Sequence, residues 1–188
     1  MIVTNCNIEQ LVTLCKGNNQ SAQLELYNRY NKAMYNTAFR IVKNAFEAED
    51  VMQDAFLLAF TKLESLKDFN TFGAWLKRIV INKSIYYYNN STRFNEVPLS
   101  HVLYKVEIAD GITDGITDHN NTTIQAKQVI DTINTLKDNY RIALTLHLIE
   151  GFDYEEISKI MRISNSNCRT IISRAKNSIR KKMKHLVV

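Results

Sequence analysis

The sequence predicts an all-α protein made of two small helical domains joined by a flexible acidic linker. Three observations point there. Only five Gly and one Pro interrupt 188 residues. Apolar residues recur at spacings of three and four over most of the chain, which is the helical period. That period is lost from Asn95 to about Thr123, where Pro98 interrupts, a GITD unit occurs twice at 111–118, and acids outnumber bases five to one. Such a composition suits a tether more than a packed element. The expected domains are therefore 1–94 and 124–188, with 95–123 between them. A hydrophobic fraction of 45% is enough to build a core in each.

In the first domain, a helix is expected over Ile8 to Lys16, with Ile8, Leu11, Val12 and Cys15 on one face and Gly17-Asn18-Asn19 as its stop. A second, Ser21 to Lys43, opens on a Ser cap and carries Leu24, Tyr27, Tyr30, Met34, Ala38 and Ile41 along its stripe. A third runs from about Ala48 to Leu63. Met52, Phe56, Ala59, Phe60 and Leu63 face inward, and Glu49 and Asp50 stabilise its electropositive start. The fourth, Thr71 to about Tyr88, buries Phe72, Trp75, Leu76, Ile79 and Val80.

Beyond the linker, Ile124 to Leu136, Asp138 to Glu150, Tyr154 to Met161 and Asn165 to Lys184 read as four helices of a compact bundle. The stretch from Phe152 to Lys176 has the spacing of a helix-turn-helix. Asp153 and Glu156 can form a capping box, and Ile157, Ile160, Met161 and Ile163 supply apolar contacts. Ser164 caps the second helix, whose buried face is Cys168, Ile171, Ile172, Ala175 and Ile179. Its opposite face presents Asn165, Ser166, Asn167, Arg169, Thr170, Ser173, Arg174 and Asn177. Arginine bridges guanine, Asn pairs with adenine and hydroxyls hold phosphates, so this reads as a recognition helix.

Charge distribution agrees with a polyanionic partner at the C-terminal end. The net charge is +5, and residues 165–188 hold Arg169, Arg174, Lys176, Arg180, Lys181, Lys182 and Lys184 with no acid. Cys6, Cys15 and Cys168 are widely spaced and in no CxxC pair, which supports neither a disulfide framework nor a zinc site. No signal-peptide pattern opens the chain and no apolar run reaches the roughly 18 residues of a membrane span, so a cytoplasmic protein without membrane insertion is expected.

The stretch LKDNYRIALTLHLIEGFDYEEISKIMRISNSNCRTIISRAKNSIRKKM resembles region 4 of the extracytoplasmic-function (ECF) sigma factors of RNA polymerase. LYNRYNKAMYNTAFRIVKNAFEAEDVMQDAFLLAFTKL followed by FGAWLKRIVINKSIYYY resembles their region 2. Together the two cover most of the chain, in the family's order. The resemblance implies an alternative sigma factor whose region 2 binds the polymerase clamp and melts the minus-ten element, and whose region 4 reads the minus-thirty-five element. It further implies bacterial core polymerase, through its clamp and flap regions, and promoter DNA as partners, an anti-sigma factor as inhibitor, and no cofactor.

The residues permit these roles. Asp50, Gln53, Asp54, Leu57 and Thr61 share one outward face of the third helix and suit docking on a partner helix. Lys77, Arg78, Asn82 and Lys83 lie off the buried stripe of the fourth helix, and the loop Lys67, Asp68, Phe69, Asn70, Thr71 matches where the family captures an unstacked base. Trp75 reads as core, while Tyr86, Tyr87 and Tyr88 are open to either stacking or burial. The acidic linker either mimics nucleic acid in the polymerase or is an inert tether. Two departures stand out. Arg162 occupies a turn position that often holds Gly, and YYYNNSTR replaces the Arg-rich run that commonly follows region 2.

Two rival readings fit parts of the sequence. An ordinary helix-turn-helix regulator explains the C-terminal third but leaves the acidic third helix and FGAWLKRIVIN without a task. A carboxylate-bridged metalloenzyme is suggested by Glu47, Glu49, Asp50 and Asp54, yet the Glu-x-x-His pairs of such bundles are missing and His101, His119, His147 and His185 are scattered. No Gly-rich phosphate loop, nucleophile elbow or metal-ligand cluster occurs, so no enzymatic activity is expected.

Overall fold

A computed structural model of the protein describes residues 3–94 and 120–184. All the regular structure among the described residues is helical, and the chain forms two compact units, one holding α1 to α4 and the other α5 to α8. The expected linker lies outside the described residues over 95–119, including Pro98 and the GITD repeat.

The first unit comprises α1 (Ile8–Lys16), α2 (Gln20–Val42), α3 (Ala45–Thr61) and α4 (Phe72–Phe94), with 3-10 turns at Val3–Asn5, Leu63–Ser65 and Phe69–Thr71. α2 packs against both α3 and α4 around a core that includes Leu11, Leu26, Ile41, Phe72, Leu76 and Ile81. Tyr27 meets Phe56 at 4.9 Å between ring centroids, and the edge of Tyr30 meets Phe72 at 5.4 Å. Gly73 makes the latter approach possible, because a Cβ there would stand 2.8 Å from Cε1 of Tyr30.

Caps set the helix starts. Asn7 and Gln10 form a reciprocal capping box at α1. At α2 the cap is Asn19, which accepts from the amide of Ala22, and not the expected Ser21. Lys43 ends α2 in the left-handed region at φ 62°, and Asn44 immediately caps α3, which begins at Ala45, three residues before the expected Ala48. Leu24, expected on the α2 stripe, is 60% exposed. Ala22, Leu26, Met34, Thr37 and Ile41 fix that buried face, and Leu24 falls about 135° from its centre at 100° per residue. Trp75 and Ile79, expected in the core with Phe72, Leu76 and Val80, are only half-buried.

Burial of Cys15 against the core pushes its thiol up to about 11 from the ordinary 9.0. The unfolded chain loses that proton at a lower pH than the folded one, so between about 9 and 11 the native state holds more protons and stability falls as pH rises. Urea unfolding of wild type and Cys15→Ala from about pH 8 to about pH 12 checks this. The stability difference between the two proteins should shift against wild type through that window and level off above it.

The second unit comprises α5 (Asn120–Asn134), α6 (Asp138–Leu144), α7 (Tyr154–Met161) and α8 (Asn165–Lys184). α5 begins before the expected Ile124. α6 does not run on regularly to Glu150: Thr145–Ile149 form a π turn closed by Glu150 N–H to the Thr145 carbonyl at 3.0 Å. The extra residue leaves Leu146 buried and Leu148 49% exposed. α8 packs across α5, α6 and α7, and the core holds Ile133, Ile142, Leu144, Leu146, Ile157 and Ile172 together with a fully buried Arg141.

Asp153 and Glu156 make the expected capping box at α7. That helix ends with Arg162 at φ 54°, ψ 46°, and Ile163 N–H bonds back to the Ser158 carbonyl at 3.0 Å. A left-handed conformation costs a non-Gly residue about 1 kcal/mol, so Arg162→Gly should raise the thermal midpoint of this unit by about 4–8 °C. A calorimetric scan of the two proteins reads the shift. No change would mean that the Arg162 side chain returns what its backbone costs.

Candidate nucleic-acid interfaces

α8 is amphipathic in the expected sense. Cys168, Ile171, Ile172, Ala175 and Ile179 are buried, and Ser164, Asn165, Ser166, Asn167, Arg169, Thr170, Ser173, Arg174 and Asn177 are all exposed. Ser164 Oγ accepts from the amide of Asn167 at 3.2 Å and caps the helix. The two arginines differ. Arg169 Nε donates to Asn165 Oδ1 at 3.0 Å and its guanidinium lies 5.6 Å from the Tyr154 ring centroid. Arg174 makes no such contact among the described residues.

Tyr154 is itself supported from behind. Its ring stacks on His147 at 5.0 Å, and His147 bridges the Phe152 carbonyl (Nδ1, 3.1 Å) and Lys176 Nζ (Nε2, 3.1 Å). An ammonium group only donates, so Nε2 accepts from Lys176 and the Nδ1–H donates to the carbonyl. Arg169 thus rests on a chain of contacts reaching the π turn after α6, whereas Arg174 is free to search. Thr170 Oγ1 donates to the Ser166 carbonyl at 3.0 Å, which turns its methyl and lone pairs outward. Asn177 Oδ1 accepts from Arg180 at 3.0 Å and keeps its amide protons for a ligand.

In the first unit the loop Lys67 to Thr71 is tied down. Asp68 accepts from the Asn70 amide at 3.0 Å, Thr71 Oγ1 donates to the Asp68 carbonyl at 2.7 Å, and Asn70 Nδ2 donates to Glu9 on α1 at 2.9 Å. Lys16 Nζ sits 4.7 Å above the Phe69 ring. On α4, Arg78 and Asn82 are exposed, Lys77 and Lys83 half-buried, and Lys83 Nζ reaches Asp54 on α3 at 3.0 Å.

Asn82 and Lys83, unlike the loop, line a groove of about 430 Å³ between α3 and α4. Its other walls are Leu58, Lys62, Ser65, Trp75, Ile79 and Tyr86. Trp75, half-buried against Phe72 at 6.1 Å, presents itself here. Tyr86 is 64% and Tyr87 38% exposed, and Tyr88 is half-buried. Sequence reasoning missed the groove, although Trp75, Ile79, Asn82 and Tyr86 fall at offsets of four, seven and eleven, a second stripe beside the core stripe.

On α3, Asp50, Gln53, Asp54, Leu57 and Thr61 are all exposed, with Leu57 at 67%. Gln53 donates to Glu49 at 3.3 Å, and Thr61 to the Leu57 carbonyl at 2.9 Å. Burial, and then the charge of Asp50, raises the Glu47 carboxyl above its usual range. Among the described residues no group of three His, Cys, Asp or Glu side chains is placed to hold a metal, and no helix is long and apolar enough to cross a membrane.

Comparison with known proteins matches residues 26–94 to sigma-70 region 2 and residues 126–179 to sigma-70 region 4. The chain is 28% identical to the ECF RNA polymerase sigma factor SigW of Bacillus subtilis, over 95% of this chain and 98% of that protein. It is 29% identical to the ECF RNA polymerase sigma-E factor of Haemophilus influenzae, over 86% of this chain and 87% of the relative. Among solved structures, CnrH in complex with the cytosolic domain of CnrY shares the fold at a TM-score of 0.53 and 21% identity, covering 95% and 97% of the two chains. The sigma factor RpoE bound to the anti-sigma factor NepR from Bartonella quintana gives 0.53 and 23%, covering 85% and 95%.

Proposed function

The chain belongs to the extracytoplasmic-function family of RNA polymerase sigma factors, and from that premise we infer how its residues divide the work of promoter-specific initiation. The observation that carries the reading is the ordered pair of sigma modules, each with an exposed face suited to its partner. An ordinary helix-turn-helix regulator needs only the second.

Residues 1–94 serve as the polymerase-binding and minus-ten domain, 95–123 as the linker, and 124–188 as the minus-thirty-five domain. α3 docks on the clamp of core polymerase through Asp50, Gln53, Asp54, Leu57 and Thr61. The melted minus-ten strand runs over α4, tracked by Lys77 and Arg78. One unstacked base enters the α3/α4 groove, where Trp75 and Tyr86 offer stacking faces, Asn82 and Ser65 hydrogen bonds, and Lys62 and Lys83 positive charge. Lys67, Asp68, Phe69, Asn70 and Thr71 flank that path. Phe69 stacks on a base only after Lys16 leaves its ring. α8 lies in the major groove of the minus-thirty-five element and reads it with Arg169, Thr170, Ser173 and Arg174, while Ser164 to Asn167 and Asn177 hold the flanks.

Sigma factors are non-enzymatic initiation factors, and this one is expected to carry no chemistry of its own, to act in the cytoplasm with polymerase, and to be held inactive by an anti-sigma factor covering these faces. The test mixes the protein with sigma-free bacterial core polymerase. Co-elution with transcripts from discrete promoters supports the assignment. Duplex binding without polymerase association would favour the ordinary regulator.

A further inference from the structure

Phe46 takes no part in the first unit's core. It stands in the first turn of α3 with 79% of its surface exposed, more than any other large apolar side chain among the described residues. Its backbone is nonetheless fixed, because Asn44 Oδ1 accepts from the amides of Phe46 at 3.0 Å and Glu47 at 3.4 Å. At 100° per residue Phe46, Asp50, Gln53 and Leu57 fall within an arc of about 60°, and Phe46 and Leu57 are three turns, about 16 Å, apart along the axis.

A single exposed apolar side chain needs no explanation. Two on one row, with acid and amide groups between them, form the knobs that a partner helix takes into separate sockets. We propose that Phe46 is a second apolar anchor of the α3 docking face, and that core polymerase offers it a socket about 16 Å from the one that takes Leu57, with a basic group between. The proposal rests on the reading of α3 as the polymerase-binding helix, and the row of Phe46 is continuous with that face.

Charge selects the occupant. Lys83 already holds Asp54 at 3.0 Å, which leaves the exposed Glu49 and Asp50, about one turn from Phe46, to meet a positive partner. A second copy of this chain would set the same acids against them. Such a docking face also accounts for an exposed Phe in a region where Tyr27, Phe56, Phe60 and Phe72 are at least half-buried.

The test measures affinity of the full chain for sigma-free bacterial core polymerase with Phe46→Ala, Phe46→Lys, Leu57→Ala and the Phe46→Ala/Leu57→Ala pair. Phe46→Ala should weaken binding about tenfold with the unfolding midpoint unchanged, and Phe46→Lys more. Separate sockets make the paired loss roughly the product of the single ones. If Leu57→Ala weakens binding and Phe46→Ala does not, α3 remains the docking helix and Phe46 is no anchor. If neither matters, the reading of α3 fails and the proposal with it. Loss of self-association with Phe46→Ala, seen by sedimentation while core binding holds, assigns the ring to a contact between copies and overturns the proposal.

Discussion

Replacing Arg169 and Arg174 together by Ala is expected to lower the affinity of the polymerase holoenzyme for a minus-thirty-five element by about a hundredfold or more, each good base contact contributing about 1–3 kcal/mol of discrimination. Both side chains are exposed on α8, so neither loss should move the unfolding midpoint. The single variants should differ in kind. Arg169 is held by Asn165 and Tyr154, and a guanidinium already oriented loses less freedom on binding than the unrestrained Arg174. Arg169→Ala should therefore relax preference at one base position. Tyr154→Ala should reproduce part of that loss, and Tyr154→Phe, which keeps the ring under the guanidinium, should not. Arg169→Lys keeps charge but not the two-pronged donor and should fall near Ala at the same position. A contact to phosphate alone would appear differently, as uniform weakening across sequences with a salt slope lower by about one. Titrating a panel of single-base promoter variants at two salt concentrations separates the cases. Unchanged affinity and unchanged preference in both Arg variants would move recognition off this face.

What the sequence makes legible is what one element can specify by itself. The exposed polar face of α8 follows from a single helix and its period, and the Asp153–Glu156 box follows from a cap residue and an acid three positions on. Where two signals compete, the reading slips. Glu49 and Asp50 look like the acids of a first turn, but Asn44 is free to cap because Lys43 ends α2 in the left-handed region, so α3 begins earlier and carries Phe46 onto its outer row. Leu24 shows the same limit in phase: on a long helix an apolar residue fits a stripe drawn slightly rotated from the true one. The π turn leaves no mark either, since Leu144, Leu146, Leu148 and Ile149 are spaced closely enough to supply a buried residue in either hydrogen-bond register. The α3/α4 groove lies beyond any single period. Lys62 and Ser65 come from the end of one helix and the turn after it, Trp75 to Tyr86 from another, and only their packing makes one surface.

Arg141→Ala is expected to destabilise the second unit strongly while leaving the first intact. The residue is 1% exposed and is the largest fully buried side chain among the described residues. Nη2 and Nε donate to Asp138 Oδ1 at 2.9 and 3.3 Å, and the Asp138 side chain is itself 55% exposed. The guanidinium is thus satisfied from the rim of the unit while its stem fills the interior, and no buried side-chain polar atom among the described residues lacks a partner. Truncation to Ala removes both, leaving a cavity and losing those hydrogen bonds at about 3–5 kcal/mol. A unit of this size has about 3–10 kcal/mol in total, so the loss takes a large share of it. Arg141→Met keeps most of the volume without the donors, and water can reach Asp138. We expect Met to recover about half of the loss, the recovered part being packing and the remainder the hydrogen-bond network. Hydrogen exchange on the full chain reads this unit by unit: in Arg141→Ala the amides of α5 to α8 should lose protection while those of α1 to α4 keep it. Core polymerase should still bind through α3, and promoters that depend on the minus-thirty-five element should fall silent. A variant in which Met fares no better than Ala would assign the whole effect to the buried guanidinium and its bonds.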